Sequence, residues 1–177
     1  MKKLASMLIA TLFLCGCATT TKQMQRGNYD AVINKSVKKL VKKPGSEKHA
    51  SAMDRAYELA NERDLERIRF LKMENNPNNY DEVMSRYNIL KQRQQQVRRV
   101  TPLNVGGRIY DYKYVDYDAE IINAKRKAAD FFYSNGQSLL NNAKYKKDYR
   151  DAYYQLTKAS EYAGGQYPNL ENMIYEA

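Results

Sequence analysis

The sequence predicts an all-α fold of antiparallel helical hairpins, and three observations lead to that prediction. The 177-residue chain contains 8 Gly and 4 Pro, and it is rich in residues that favour helices. Its apolar residues recur at intervals of three and four over long stretches. Turn-forming residues separate these stretches at Pro44 and Gly45, at 75–79, and at Gly164 and Gly165.

The first three helices are expected over 28–43, 47–74 and 80–100, where apolar residues form a stripe along each segment. Ser46 lies just before the second helix, where its hydroxyl can cap the first free amide groups. Pro102 ends the third helix, because the residue before a proline disfavours helical geometry.

In the next segment the sequence pattern repeats every two residues instead of every three or four. Residues 103–115 are expected to form a short extended arm or hairpin, because tyrosines alternate with charged residues and Gly106 and Gly107 form a turn. Two helices follow at about 116–143 and 147–163.

Pro168 opens a last segment that runs to Ala177 and has the pattern of a helix just begun. It is either a capping helix or the start of further repeats that a C-terminal truncation has removed.

The N-terminus has the features of an export signal. A basic start at Lys2 and Lys3 precedes the apolar run Leu4–Leu14. This run is about half of the roughly 20 residues that a helix needs to cross a bilayer, so it suits a secretory signal.

The next residues, ending in Gly16 and Cys17, resemble the lipobox of bacterial lipoproteins, in which the final cysteine carries the lipid. This resemblance implies that 1–16 is a signal peptide, 17–25 a lipidated tether and 26–177 the helical domain. The alternatives are a plain signal peptide or a short buried helix. No Asp and no acidic run follows Cys17, which by the same resemblance implies acyl chains, such as palmitate, in the outer membrane and a domain facing the periplasm.

Three segments of the domain are similar to one another. Tyr29, Tyr80 and Tyr149 each follow a polar pair and precede an apolar residue three positions later. The pattern resembles the second helix of a tetratricopeptide repeat, and Phe132 and Gly136 resemble the first helix of the last copy. The spacing is irregular, so the resemblance implies a degenerate solenoid similar to uncharacterised lipoproteins of Bacteroidota. A generic helical bundle with coincident tyrosines is the alternative.

Composition excludes several classes of enzyme. The chain has one histidine, His49, and two cysteines that both lie within the first 17 residues. A Cys/His zinc site and a Cys-His or Ser-His-Asp enzyme are therefore not expected. No carboxylate pair is marked by its sequence context, so we expect a protein without enzymatic activity, cofactor or metal.

The net charge is +10, and the strongest basic patch comprises Lys91, Arg93, Arg98 and Arg99. The patch is either a solvated helix face or a contact for anionic envelope material, such as lipid headgroups, lipopolysaccharide phosphates or an acidic partner. Export would separate the protein from nucleic acid, so we expect none as a ligand.

Tyr110, Tyr112, Tyr114 and Tyr117 are the candidate partner-binding residues, since tyrosine is enriched at interfaces. The alternative is that these rings fill a groove between helices. We expect a scaffold or adaptor that binds unidentified envelope proteins at the periplasmic side of the outer membrane. A glycan- or peptidoglycan-binding module is the alternative function.

Overall fold

The computed structural model describes residues 20–74, 76–164 and 167–177. The described chain is mostly helical, which confirms the predicted all-α class. Residues 20–25 are helical. The regular elements that follow are α1 (Tyr29–Lys42), α2 (Glu47–Met73), a 3₁₀ turn (Pro77–Asn79), α3 (Tyr80–Val97), β1 (Leu103–Val105), β2 (Arg108–Tyr110), α4 (Tyr117–Asn141), α5 (Lys146–Ala163) and α6 (Leu170–Glu176).

The extended arm is a two-stranded antiparallel hairpin that ends earlier than expected. Leu103 pairs with Tyr110 and Val105 pairs with Arg108, which leaves a two-residue turn. Both turn residues are glycines with positive φ, 60° at Gly106 and 73° at the next position. A tight turn of this kind requires positive φ at both central positions and therefore favours glycine. Residues 111–116 follow without regular secondary structure.

Polar side chains and glycine set the helix ends. Asp116 caps α4, since its Oδ1 accepts a hydrogen bond from the backbone amide of Ala119 at 3.1 Å. Asp148 lies in the first turn of α5 and accepts from the amide of Tyr145 at 2.9 Å. At the other end of α5, Gly164 takes the left-handed conformation that commonly terminates helices.

The chain divides into two compact units. The first contains the described residues up to Glu66 together with Leu90–Val115, and the second contains Arg67–Ile89 together with Asp116–Ala177. The boundaries expected from sequence, with a helical domain over 26–177, stay a prediction.

The core of the first unit joins α1 and α2 to the end of α3 and to the hairpin. Side chains spaced three or four apart on each helix face inward, as the apolar stripes predict. The buried members are Val32, Ile33, Val37, Leu40, Ala50, Met53, Ala56, Tyr57, Ala60, Val97, Leu103, Val105 and Tyr110.

The core of the second unit lies between α4 and α5, which pack along their lengths as a hairpin joined by 142–145. Its buried members are Ala128, Ala129, Phe132, Leu156, Ala159, Ala163 and Leu170. The helices approach closely at Gly136, because a Cβ there would lie 2.7 Å from Cγ of Leu156. Glycine is thus required at this crossing by the space available.

Candidate binding surfaces

Two of the four tyrosines predicted to bind a partner are interior residues. Tyr110 is 6% exposed and belongs to the core of the first unit. Tyr117 is 5% exposed, and its ring centroid lies 6.2 Å from that of Tyr87 in the second unit. The expectation that these two rings lie on a free surface is therefore wrong. They fill the interior because the strand and the helix that carry them each turn that position inward.

Tyr112 is held within the first unit by a polar contact and a ring contact. Its hydroxyl donates to Oδ1 of Asp54 at 3.1 Å, and its ring centroid lies 4.5 Å from that of Tyr57. Burial, together with the nearby Asp54 carboxylate, raises the pKa of Tyr112 above its ordinary value. Arg108 reaches the other oxygen of Asp54 at 2.8 Å. The ring thus fixes the chain after the hairpin onto α2.

Tyr114 is the exposed member of the four, at 58%. The guanidinium carbon of Arg98 lies 5.0 Å from its ring centroid, a cation–π contact. Contact of Tyr114 with a partner stays a prediction.

Arg93 does not lie on a basic surface, which corrects the expectation from sequence. Its side chain is 1% exposed, and its Nε lies 2.7 Å from Oδ1 of Asp30. Its Nη2 lies 2.8 Å from Oδ2 of Asp64, and its Nη1 donates to Oδ1 of Asn61 at 2.8 Å. The position is inward because Leu90 and Arg93 are three residues apart on the buried stripe of α3.

The other members of the basic patch have different surroundings. Arg98 and Arg99 are exposed, whereas Lys91 is half-buried. Their contact with an anionic surface stays a prediction.

Arg99 borders an open groove of about 410 Å³ in the first unit. The remaining lining side chains are amides from α1 and α3, namely Asn34, Gln92, Gln95 and Gln96. Gln96 donates a hydrogen bond to Asn34 across the groove. Such a surface offers both donors and acceptors without a fixed charge beyond that of Arg99.

A group of exposed aromatic side chains that was not expected lies at the N-cap and along the first half of α5. We define the α5 tyrosine surface as four side chains: Tyr145, Tyr149, Tyr153 and Tyr154. Tyr153 and Tyr154 are 49% and 54% exposed. Tyr149 and Tyr153 are four residues apart, so they lie on the same side of the helix.

The sequence pattern held a signal for this surface. Ala152, Leu156 and Ala159 mark the buried face of α5. Tyr149 and Tyr153 lie on neighbouring positions of the helix, toward solvent. Tyr149, the aromatic residue that begins the last copy of the repeat pattern, is 39% exposed. At about 100° per residue, Tyr153 lies well around the helix from Ala152, whereas Tyr149 lies only about 20° from Leu156, so the helical angle predicts exposure for Tyr153 and not for Tyr149.

Cationic side chains flank the α5 tyrosine surface. Lys146 lies one turn before Tyr149, and Arg150 lies one turn before Tyr153 and Tyr154, so these side chains are neighbours on the helix. Neither cation forms an ion pair or hydrogen bond with another residue in the described ranges. Tyrosine beside arginine is the composition found at the energetic centres of protein interfaces.

The second unit provides a firm support for α5. The rings of Phe132 and Tyr162 stack with their centroids 5.8 Å apart, which ties α4 to α5. The hydroxyl of Tyr162 donates to Oδ1 of Asp81 at 2.7 Å. The tyrosines are therefore presented from a helix that is packed on one side.

The remaining expectations concern the lipid attachment residue, metal ions and membrane-spanning helices. Cys17, the expected lipid attachment residue, lies outside the described residues. Within residues 20–74, 76–164 and 167–177, no group of three or more His, Cys, Asp or Glu side chains could hold a metal ion. In the same ranges no helix has the length and apolar character needed to span a membrane. Asp64 is the buried carboxylate of this part of the chain, and Arg93 pairs with it.

Comparison with protein-family models finds no match for this chain. No curated protein and no solved structure matches it either.

Proposed function

We propose that this chain is an envelope lipoprotein whose helical domain binds a protein partner through the α5 tyrosine surface, at the periplasmic side of the outer membrane. The attachment rests on the sequence ending at Cys17, where a basic start, a short apolar run and a lipobox coincide. The acyl chains would hold the domain at the membrane and raise its effective concentration for membrane-bound partners.

The α4–α5 hairpin supports a tetratricopeptide-like arrangement for the last repeat. Two antiparallel helices pack closely where a small residue replaces a larger one, and Gly136 against Leu156 is such a place. Ala152 and Ala159 are fully buried on the facing helix. The proposal is that the remaining helices form degenerate copies of this pair and that the whole forms a scaffold.

One observation carries the binding proposal: the N-cap tyrosine and three further tyrosines of α5 are exposed beside two cations that have no ion-pair partner among the residues that the structure describes. Tyrosine offers a large contact area with few rotatable bonds and a polar tip, so it binds proteins at low entropic cost. Lys146 and Arg150 select a partner with acidic groups at the same surface. We therefore propose an acidic envelope protein as the partner.

The test compares three forms of the full-length protein. Each form is expressed in its own cells, the cell envelope is mildly crosslinked, and the protein is purified from the envelope membranes together with any partner. The first form is unchanged, the second carries Tyr149→Ser with Tyr153→Ser, and the third carries Tyr175→Ser. Tyr175 is 93% exposed and lies on α6, so it is the matched control. We expect an acidic protein to be recovered with the first and third forms and lost with the second. Equal recovery with all three would refute the role of this surface.

A second candidate function, binding of glycan or peptidoglycan, is favoured by the amide-lined groove. Side-chain amides pair with sugar hydroxyls and with peptide groups, and Arg99 can meet a carboxylate of a peptide stem. Sedimentation with purified peptidoglycan sacculi tests this function. Retention that is lost with Gln92→Ala and Gln95→Ala, but kept with the Tyr149 and Tyr153 variant, would support it. Absence of retention would eliminate it.

A further inference from the structure

The start of the described chain and the start of α2 share a pocket of about 270 Å³ in the first unit. Its lining residues are Thr20, Thr21, Met24, Lys48, His49 and Ala52. Thr20 is three residues after Cys17 in the sequence, and a trans peptide chain spans at most about 3.5 Å per residue. The Cα atom of the cysteine that would carry the lipid therefore lies at most roughly 11 Å from the Cα atom of Thr20.

Positive charge converges on this pocket from two helices. Lys48 lines it directly, and Lys35 and Lys39 of α1 are close enough to act on His49. Burial lowers the pKa of His49, and repulsion from Lys48, Lys39 and Lys35 lowers it further. No carboxylate is among the lining residues. An anion placed here would relieve the repulsion among these groups.

Two buried polar atoms at the pocket have unmet hydrogen-bonding capacity. Thr20 is 8% exposed, and its Oγ1 has no hydrogen-bond partner within the described structure. Nδ1 of His49 is likewise buried and without a partner there. Buried polar atoms without partners are uncommon in proteins and call for a ligand or water to complete them.

We propose that this pocket, which we call the anchor pocket, binds the phosphate group of an anionic phospholipid headgroup in the membrane that holds the chain. A lysine near an anionic bilayer contributes about 1 kcal/mol, and a lipid chain combined with a basic patch gives firmer attachment than one signal alone. The site would fix the first unit against the membrane surface, whereas the α5 tyrosine surface belongs to the second unit. The proposal rests on the proposed attachment at Cys17 for its source of lipid.

His49 is the single histidine of the chain, so its imidazole signal is an unambiguous reporter. The experiment uses the full-length protein with ¹³C-labelled histidine in a neutral detergent. The protein is titrated with dihexanoyl phosphatidylglycerol below its micelle-forming concentration, in parallel with dihexanoyl phosphatidylcholine and with inorganic phosphate. The intact mass of the same sample reports separately whether Cys17 carries lipid, so the failure of one proposal does not imply failure of the other.

We expect phosphatidylglycerol to shift the His49 signal in a saturable way and to raise the pKa of His49. Lys39→Gln should weaken the apparent affinity about fivefold. Lys125→Gln removes a cation from α4 and should leave the affinity unchanged. An unchanged His49 signal would overturn the proposal, and so would an equal shift with phosphatidylcholine or an equal loss with Lys125→Gln. An equal shift with inorganic phosphate would also overturn it, since the ligand would then be a free anion rather than a headgroup.

Discussion

Nη2 of Arg93 lies 2.8 Å from Oδ2 of Asp64, and both side chains are almost entirely removed from solvent. The pair ties α3 to α2 inside the first unit, and Asp30 of α1 meets the same guanidinium. Three helices of this unit are thus joined at one arginine. Arg93, which the sequence predicts to lie in a basic surface patch, is therefore a buried residue that holds these three helices together.

Removal of Arg93 should destabilise the protein strongly. Arg93→Met removes the short ion pair of the buried Asp64, whose contact with Arg63 is longer, at 4.0 Å, and breaking a buried pair in this way costs about 3–5 kcal/mol. Urea unfolding followed by circular dichroism measures the change. Arg98→Met is the control, because Arg98 follows the last residue of the same helix and is exposed, and it should change the free energy of unfolding by less than about 1 kcal/mol. Equal effects of the two substitutions would contradict the buried network.

Gly136 should not tolerate a side chain. Gly136→Ala places a Cβ 2.7 Å from Cγ of Leu156 and 3.1 Å from its backbone nitrogen, so the Leu156 side chain or the adjoining backbone must shift. The expected loss is about 1–3 kcal/mol. Gly45→Ala is the matched control, because nothing lies within 4 Å of the Cβ that it would add. Thermal unfolding of both variants measures the difference, and a stabilised Gly136→Ala would show that the close approach is wrong.

The tyrosines after the hairpin should separate into structural and surface residues. Tyr112→Phe removes the hydroxyl that donates to Asp54 and should cost about 1 kcal/mol. Tyr114→Phe removes an exposed hydroxyl and should be nearly neutral. Chemical unfolding of both variants provides the measurement. The opposite ranking would place Tyr112, rather than Tyr114, at the surface.

Glu82 should titrate well below an ordinary glutamate. Hydrogen bonds from Arg67 and then from Arg86 lower its pKa from 4.5 to about 2. Because the pKa in the folded protein is depressed, this group stabilises the fold above about pH 4.5, and the contribution is lost as the pH falls toward 2. Carboxyl ¹³C NMR measures the titration. Arg67→Gln should raise the pKa of Glu82, and an unchanged value would contradict the paired geometry.

The helices were predictable because long amphipathic stripes and strong turn residues dominate their local preference. The start of α1 at Tyr29 and the end of α5 at Ala163 lie within one residue of the positions expected from sequence. The hairpin was predictable from Gly106 and Gly107, since two adjacent glycines permit the positive φ that its turn requires.

Side-chain placement was less predictable, because it depends on which face of an element meets a neighbour. The sequence does not distinguish Arg93 from the cationic residues near it. Its side chain is buried because α3 packs against α1 and α2 at this position. Tyr110 faces inward on a short strand that packs on the core, whereas Tyr114 lies beyond the strand and is exposed. Exposure of Tyr153 also depends on packing, since α4 covers one side of α5.

Site-specific photocrosslinking from position 153 of the full-length protein in living cells tests the central claim most directly. A photoreactive benzophenone amino acid replaces Tyr153 in one strain and Tyr175 in another, both in exposed positions. We predict a discrete protein adduct from position 153 that is absent from position 175. An adduct-free result at position 153, or the same adducts from both positions, would contradict a partner-binding role for the α5 tyrosine surface.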